Sequence, residues 1–187
     1  KFVRRFFAIL WLEDDLQTLY SLTKLRSRCI PGDCCWDHIP DVVVNILTNL
    51  AYHKREITVF GGNQLRPNIH ILDMIKVYLH LLKQPKNKIA KKIFNVGYEN
   101  QKIMDLAYIV KEVIGNDIKI VQKDTNDNRS YHISSQKIKK ELGFIPKHSI
   151  KEAVIELKNA FKNGLLQNPL ENENYFNIKK MKSLNLQ

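Results

Sequence analysis

A tyrosine and a lysine stand four residues apart in the run YSLTK, from Tyr20 to Lys24. Positions i and i+4 share one face of a helix, so a phenol and an ammonium with this spacing can point into the same cleft. A fixed positive charge stabilises a phenolate and lowers the pKa of a tyrosine from its ordinary value of about 10. The pair could therefore act as a general base near neutral pH. The same spacing also arises by chance in many chains.

A second chemical signal lies in GGNQLRPNIHILD, from Gly61 to Asp73. A short apolar strand ends in two glycines, and a predicted loop then presents Gln64 and Arg66 ahead of a helix. Gly62 permits a tight reversal of the chain. Pro67 stiffens the loop, so the guanidinium can be aimed at phosphate oxygens as a bidentate donor. The alternative is a surface arginine in an ordinary turn.

The elements that position these residues alternate between helix and strand from position 41 onward, which predicts an α/β layered domain. Helices are predicted at 41–54, 68–82, 103–114, from a cap at Ser134 or Ser135 to 142, and from 149 to 164, and strands at 57–60, 93–96 and 118–121. Two helices have apolar faces at helical spacing. The face of the first is Val44, Leu47, Thr48 and Ala51, and that of the second is Ile71, Met74, Ile75, Tyr78, Leu79 and Leu82.

The composition is that of a globular protein with a strong positive charge. Hydrophobic residues make up 44% of the 187 residues, charged residues make up 26%, and the formal net charge is +11. A basic surface can bind nucleic acid by releasing counterions. The lysines are spread along the chain, however, and no aromatic ladder interleaves with them. Solvated lysine surface is the favoured interpretation, and no nucleic-acid partner is predicted. An anionic small substrate would also be attracted by this field.

The first forty residues lack the helix–strand rhythm. The cysteines Cys29, Cys34 and Cys35 have only His38 nearby and lack the paired spacing of a zinc site, so no metal is predicted. Their odd number and irregular spacing do not form a secreted disulfide framework, which favours the cytoplasm. The opening KFVRRFFAILWL is too short to span a bilayer. Because the chain starts at Lys1 rather than Met, its true beginning is expected to be missing.

The chain resembles the extended short-chain dehydrogenase/reductase superfamily in four motifs and in their order. The motifs are YSLTK, ITVFGGNQLRPNIHILD, FNVG and DNRSYHISSQKIKKELGFIP. The most similar branch is the NAD-dependent sugar-nucleotide epimerases/dehydratases. The similarity runs from about 41 to 164, with a separate island at 14–25. It implies a remnant of a Rossmann-type doubly wound sheet plus a smaller C-terminal α/β substrate-binding domain. The expected domains are a disrupted remnant of the NAD-binding domain at 1–40, the sugar-nucleotide part at 41–166 and a polar tail at 167–187.

The resemblance also implies roles for single residues. Tyr20 resembles the catalytic tyrosine, which takes a proton from a sugar hydroxyl while hydride passes to the nicotinamide of NAD. Lys24 resembles the lysine that holds the nicotinamide ribose. Arg66 and Arg129 resemble the arginines that bind the diphosphate of a nucleoside-diphosphate sugar. Asn45 lies where the substrate-domain helix begins, and contact with the substrate is expected there. Roles in packing, turns or helix caps are expected for Asn95, Gly97, Tyr131, Leu142, Gly143, Pro146, His70 and Asp73.

The departures from the family pattern fall in the first forty residues. The 187 residues lack three features of the family pattern. These are the glycine-rich fingerprint G-x-x-G-x-x-G, the acidic residue for the adenosine ribose and a serine run before Tyr20. NAD binding by this chain alone is therefore doubtful. A reading-frame error across codons 26 to 40 would produce a chain in which an unrelated stretch interrupts segments that match the family. An intact frame on resequencing would remove that hypothesis.

The sequence thus predicts an NAD-dependent epimerase/dehydratase of a nucleoside-diphosphate sugar, here as a truncated fragment that is inactive alone. The alternatives are a non-catalytic basic module for nucleic acid or an acidic partner, and a non-functional fragment. The sequence leaves three points open. These are the identity of the sugar, the choice among epimerase, dehydratase and reductase, and the choice between NAD and NADP. A homodimer is one state that the resemblance implies for a full-length protein.

Overall fold

The structure is a computed structural model, and it describes residues 10–11, 43–126, 129–172, 175 and 183. Tyr20, Lys24 and the three cysteines lie outside these residues. The described residues fall into two compact units. The first contains residues 10–11, Leu65–Gln101 and Ser130–Ser149, and the second contains the described residues of 43–64, 102–129 and 150–183.

The second unit packs three helices on a pair of parallel strands. The helices are α1 (Val43–Lys54), α4 (Ile103–Ile114) and α6 (Ile150–Lys162), and the strands are β2 (Glu56–Phe60) and β6 (Lys119–Lys123). Apolar side chains from all three helices meet those of β2 in one core, whose members include Val44, Leu47, Ala51, Ile57, Val59, Leu106, Val110 and Val154. Strand side chains alternate between the two faces of a sheet, which is why Ile57 and Val59 point together into this core.

The predicted face of α1 is confirmed, since Val44, Leu47, Thr48 and Ala51 are all buried. Thr48 is a polar member of this face, and its hydroxyl donates a hydrogen bond to the carbonyl of Val44 at 2.7 Å. A threonine in a helix can satisfy its hydroxyl in this way and be buried without a further partner. Helical spacing alone was therefore sufficient to predict the side of α1 that packs.

The first unit contains the shorter elements. Its helices are α2 (Ile71–Leu82), α3 (Lys86–Ile89) and α5 (Gln136–Leu142). Strand β1 (Leu10–Trp11) is antiparallel to β4 (Ile93–Phe94), and β3 (Leu65–Asn68) pairs with β5 (Glu99–Lys102). The core of this unit is formed by Val77, Leu81, Phe94, Val96, Ile138, Leu142 and Phe144.

The predicted start and apolar face of α2 are partly wrong. The helix begins at Ile71 rather than Asn68, because 65–68 form a strand. Met74 and Tyr78 do pack against the core, but the fully buried residues of the helix are Asp73, Val77 and Leu81. Ile71, Leu79 and Leu82 are more than half exposed. Apolar residues occur almost all the way round this helix, so their spacing does not decide which side packs.

Three short elements were not predicted: β3, α3 and β5. The sequence instead predicts a loop for LRPN of β3, stiffened by Pro67. Proline is tolerated at a sheet edge, and a sheet of two strands consists of edges. The α/β class is confirmed. The doubly wound sheet and the boundaries at 40 and 166 stay predictions. Within the described residues, no helix has the length and hydropathy that a membrane span requires.

Ser135 joins α5 to Gly97, which follows β4 in the FNVG motif. It is the N-cap residue of α5, yet its hydroxyl makes no capping bond. The hydroxyl instead accepts from the N–H of Gly97 and donates to the carbonyl of Gly97, both at 2.8 Å. A Cβ on Gly97 would lie 2.6 Å from Cδ1 of Ile133, so the end of that side chain would have to shift. The structural role expected for Gly97 is therefore supported.

We expect Ser135→Ala to lower the free energy of unfolding by about 1–3 kcal/mol, because the buried N–H and carbonyl of Gly97 lose their partner. Denaturant titration of the variant and the wild type measures this difference. Ser134→Ala is the matched control. Ser134 is exposed, and its hydroxyl makes only a 3.4 Å contact to the N–H of Gln136. If both variants lost the same free energy of unfolding, the stabilising role of the hydrogen bonds between Ser135 and Gly97 would be contradicted.

Candidate functional site

Arg66 lies within β3 of the first unit and is half-buried. Its Nη1 donates a hydrogen bond to the carbonyl of Leu65 at 3.0 Å. Its Cζ lies 5.3 Å from the ring centre of Tyr131. A guanidinium over an aromatic face at this distance is attracted by the quadrupole of the ring. The prediction that Arg66 projects from a stiffened loop is wrong, because the residue sits in a strand and its side chain is held by neighbouring groups.

The segment that follows Arg129 lies beside β3. The N–H of Leu65 donates to Oγ of Ser130 at 2.9 Å, and the N–H of Tyr131 donates to the carbonyl of Leu65 at 3.0 Å. The amide of Asn68 also donates to the carbonyl of Arg66 at 2.8 Å. Two motifs that are 65 positions apart in sequence therefore meet within the first unit.

The two predicted diphosphate ligands lie in different units. Arg66 belongs to the first unit, and Arg129 belongs to the second, where its side chain is exposed. Their convergence on one diphosphate stays a prediction. Asn45, the third predicted substrate residue, is half-buried on α1. The predicted catalytic residues Tyr20 and Lys24 lie outside the described part of the chain.

Gln64 closes the turn after β2 and is not presented to a ligand. Gly61 and Gly62 have φ values of 74° and 111°, which confirms the predicted tight reversal. The side-chain oxygen of Gln64 accepts from the N–H of Gly62 at 2.7 Å, and its amide nitrogen donates to the carbonyl of Phe60 at 3.3 Å. Gln64 is 6% exposed. Gln64 lies in a loop as predicted, but its buried side chain satisfies backbone groups within the turn.

A buried carboxylate, that of Asp73, fastens the loop after α5 to the first turn of α2. Its Oδ2 accepts the backbone N–H groups of Lys147 and His148, both at 2.7 Å, and its Oδ1 lies 2.8 Å from Nδ1 of His148. Asp73 is only 1% exposed. His70 stacks on the ring of His148 with centroids 4.9 Å apart, and its Nδ1 accepts from the N–H of Leu72. His70 is therefore the predicted helix cap.

Two opposing effects act on the pKa of Asp73. Burial raises the pKa, because it disfavours the charged carboxylate. The hydrogen bonds from the backbone and imidazole of His148 and from the backbone of Lys147 lower it and prevail, so the pKa lies below the ordinary aspartate range. A group whose pKa is depressed on folding stabilises the folded chain above its unfolded pKa and loses this effect in acid.

We expect Asp73→Ala to lower the free energy of unfolding at pH 7 by about 3 kcal/mol, because buried donors on Lys147 and His148 lose their acceptor. The wild type should also lose stability more steeply than the variant as pH falls below about 4. Denaturant titrations between neutral and acid pH test both expectations. Asp117→Ala, which removes an exposed partner of Arg55, should have a much smaller effect. Parallel pH profiles for wild type and Asp73→Ala would contradict the assignment.

The sequence did not indicate the contacts that Lys147, His148 and Tyr131 make. Nothing in the spacing of Lys147 and His148 indicated a partnership with Asp73, which lies 75 positions from His148. Tyr131 was expected to pack, but its place beside Arg66 depends on the register between its segment and β3. Leu142 and Pro146 are buried and Gly143 ends α5 with a φ of 71°, as their expected packing and turn roles require. Within the described residues, no group of three or more His, Cys, Asp or Glu side chains could hold a metal ion.

Comparison with known proteins identifies a matching family model and a similar protein of known sequence. Residues 37–97 match the NAD dependent epimerase/dehydratase family. A UDP-glucose 4-epimerase of Corynebacterium glutamicum is 29% identical over 139 residues, which are 68% of this chain and 41% of that protein.

Solved structures share part of the fold. The UDP-glucose 4-epimerase of Thermotoga maritima, determined with UDP-glucose, has a TM-score of 0.56 and 24% identity and covers 67% of this chain. The UDP-N-acetylglucosamine 4-epimerase of Bacillus cereus has a TM-score of 0.57 and 24% identity and covers 69%. A dTDP-glucose 4,6-dehydratase of Bacillus anthracis has a TM-score of 0.58 and 15% identity and covers 82%. The matched regions are 40%, 42% and 52% of those chains, so this chain spans about half of their length or less.

Proposed function

We propose that this chain, which belongs to the NAD-dependent epimerase/dehydratase family and covers part of its fold, binds a nucleoside-diphosphate sugar through Arg66 and Arg129. The observation that supports the proposal is the half-buried guanidinium of Arg66, held between the Leu65 carbonyl and the Tyr131 ring. A guanidinium presents N–H donors in a planar fork that matches two phosphate oxygens. Asn45 is proposed as a further substrate contact.

The charge of the chain supports the same class of ligand. A formal net charge of +11 creates a field that attracts anions and raises their local concentration. Such a field does not select one anion from another, whereas a guanidinium in a fixed orientation can. Selective binding of a diphosphate is therefore assigned to the arginines, and attraction over longer distances is assigned to the lysines.

The family name implies NAD, but the 187-residue sequence does not contain the glycine fingerprint that would hold it. The chain has seven glycines, and no three of them have the G-x-x-G-x-x-G spacing that brings a backbone close to a pyrophosphate. Tyr20 and Lys24 are proposed as the base and its supporting cation, from their place in the YSLTK motif. The 187 residues alone are expected to bind a nucleotide sugar without converting it.

We expect Arg66→Ala to weaken the binding of UDP by about tenfold or more, because a charge-assisted pair of hydrogen bonds to phosphate is lost. Arg129→Ala should have a similar effect. Arg66→Lys should be intermediate, since it keeps the charge and loses the planar fork. Isothermal titration calorimetry of each variant with UDP gives the dissociation constants.

Arg55→Ala is the matched control. It removes the same charge, but the guanidinium of Arg55 pairs with Asp117 in an exposed ion pair. UDP binding should then change by no more than about twofold, because exposed charges act through a screened field. Equal weakening by Arg55→Ala, Arg66→Ala and Arg129→Ala would contradict a diphosphate site. If mixed-sequence DNA also displaced UDP in low salt, the basic-module alternative would be supported.

A further inference from the structure

We propose that Tyr131 is a positioning residue, whose aromatic ring holds the guanidinium of Arg66 in the orientation that receives a diphosphate. This inference rests on the proposed function and assigns a residue that acts through Arg66. The ring of Tyr131 is centred 5.3 Å from Cζ of Arg66. The backbone N–H of Tyr131 donates to the Leu65 carbonyl, which also accepts from Nη1 of Arg66.

The carbonyl of Leu65 links the backbone of Tyr131 to the side chain of Arg66, because it accepts a hydrogen bond from each. Because Tyr131 is bound to Leu65 through its main chain, its ring is placed beside the residue that follows Leu65. Ser130 reinforces this register by accepting the N–H of Leu65. Two hydrogen bonds to the backbone of Leu65 therefore fix the main chain from which the ring projects. An arginine side chain has many rotamers, and a ring on one side with an acceptor on another reduces their number before a ligand arrives.

Reducing that freedom beforehand strengthens binding, since less ordering remains to be done when the ligand binds. The attraction between a cation and an aromatic ring comes from the π face, so the phenolic hydroxyl is not required. Phenylalanine at position 131 should therefore preserve UDP binding. Leucine, which fills similar space without a π face, should not. A role limited to filling space would instead be satisfied by leucine.

The test is a double-mutant cycle on UDP binding, measured by isothermal titration calorimetry on the 187-residue chain. Tyr131→Leu should weaken binding about threefold to fivefold, while Tyr131→Phe should bind like the wild type. In an Arg66→Ala background, Tyr131→Leu should cause no further loss, because the ring would have no guanidinium to position. Tyr131→Trp, which has the strongest π face, should bind at least as tightly as the wild type.

A second measurement does not need a ligand. Ring currents shift protons that lie over an aromatic face, so the Nε–H proton resonance of Arg66 should be displaced in the wild type and in Tyr131→Phe. The displacement should disappear in Tyr131→Leu. Thermal melting followed by circular dichroism shows whether each variant is folded. If Tyr131→Leu does not fold, Tyr131→Trp decides, and binding weaker than that of the wild type overturns the inference.

The outcomes separate this inference from the proposed function. If the wild type does not bind UDP, or Arg66→Ala binds as the wild type does, the proposed function fails and the inference fails with it. If binding depends on Arg66 but Tyr131→Leu leaves it unchanged, only the inference is overturned. The same holds if Tyr131→Leu weakens binding equally with and without Arg66, because Tyr131 would then contact the ligand itself.

Discussion

The carbonyl of Leu65 is the acceptor on which the candidate site depends. It receives the backbone N–H of Tyr131 and Nη1 of Arg66. A carbonyl oxygen has two lone pairs and can accept both. One acceptor thus sets the register between two distant segments and restrains a charged side chain.

The first unit is held together by polar groups as well as by its apolar core. Asp73 satisfies two backbone N–H groups and an imidazole with one buried carboxylate. Ser135 satisfies both backbone groups of Gly97. Connecting segments carry backbone polar groups that cannot be buried without partners. Short polar side chains at the ends of helices therefore let the connections of this unit pack closely.

The second unit follows the simpler rule of apolar side chains on a parallel strand pair. Its helices and strands agree closely with the predicted ones, because the three helices and β2 each have one apolar face at a clear period. The first unit agrees less well. On α2, apolar residues occur on the buried side and also at the exposed positions Ile71, Leu79 and Leu82. Helical spacing predicts that a helix forms, but packing partners decide which of two apolar sides is buried.

The sequence by itself determined the order of the longer helices and strands, the buried face of α1, the glycine reversal after β2 and the helix-ending role of Gly143. These depend on local periodicity and on backbone conformations that glycine favours. It also contained the order of motifs through which the family was predicted. Only the tertiary structure decided that Arg66 lies in a strand over Tyr131, that Gln64 turns inward and that Asp73 binds Lys147 and His148. Each of these depends on a hydrogen bond or ring contact whose geometry the order of residues does not specify, because the register of distant segments is set by packing and by the need to satisfy buried polar groups.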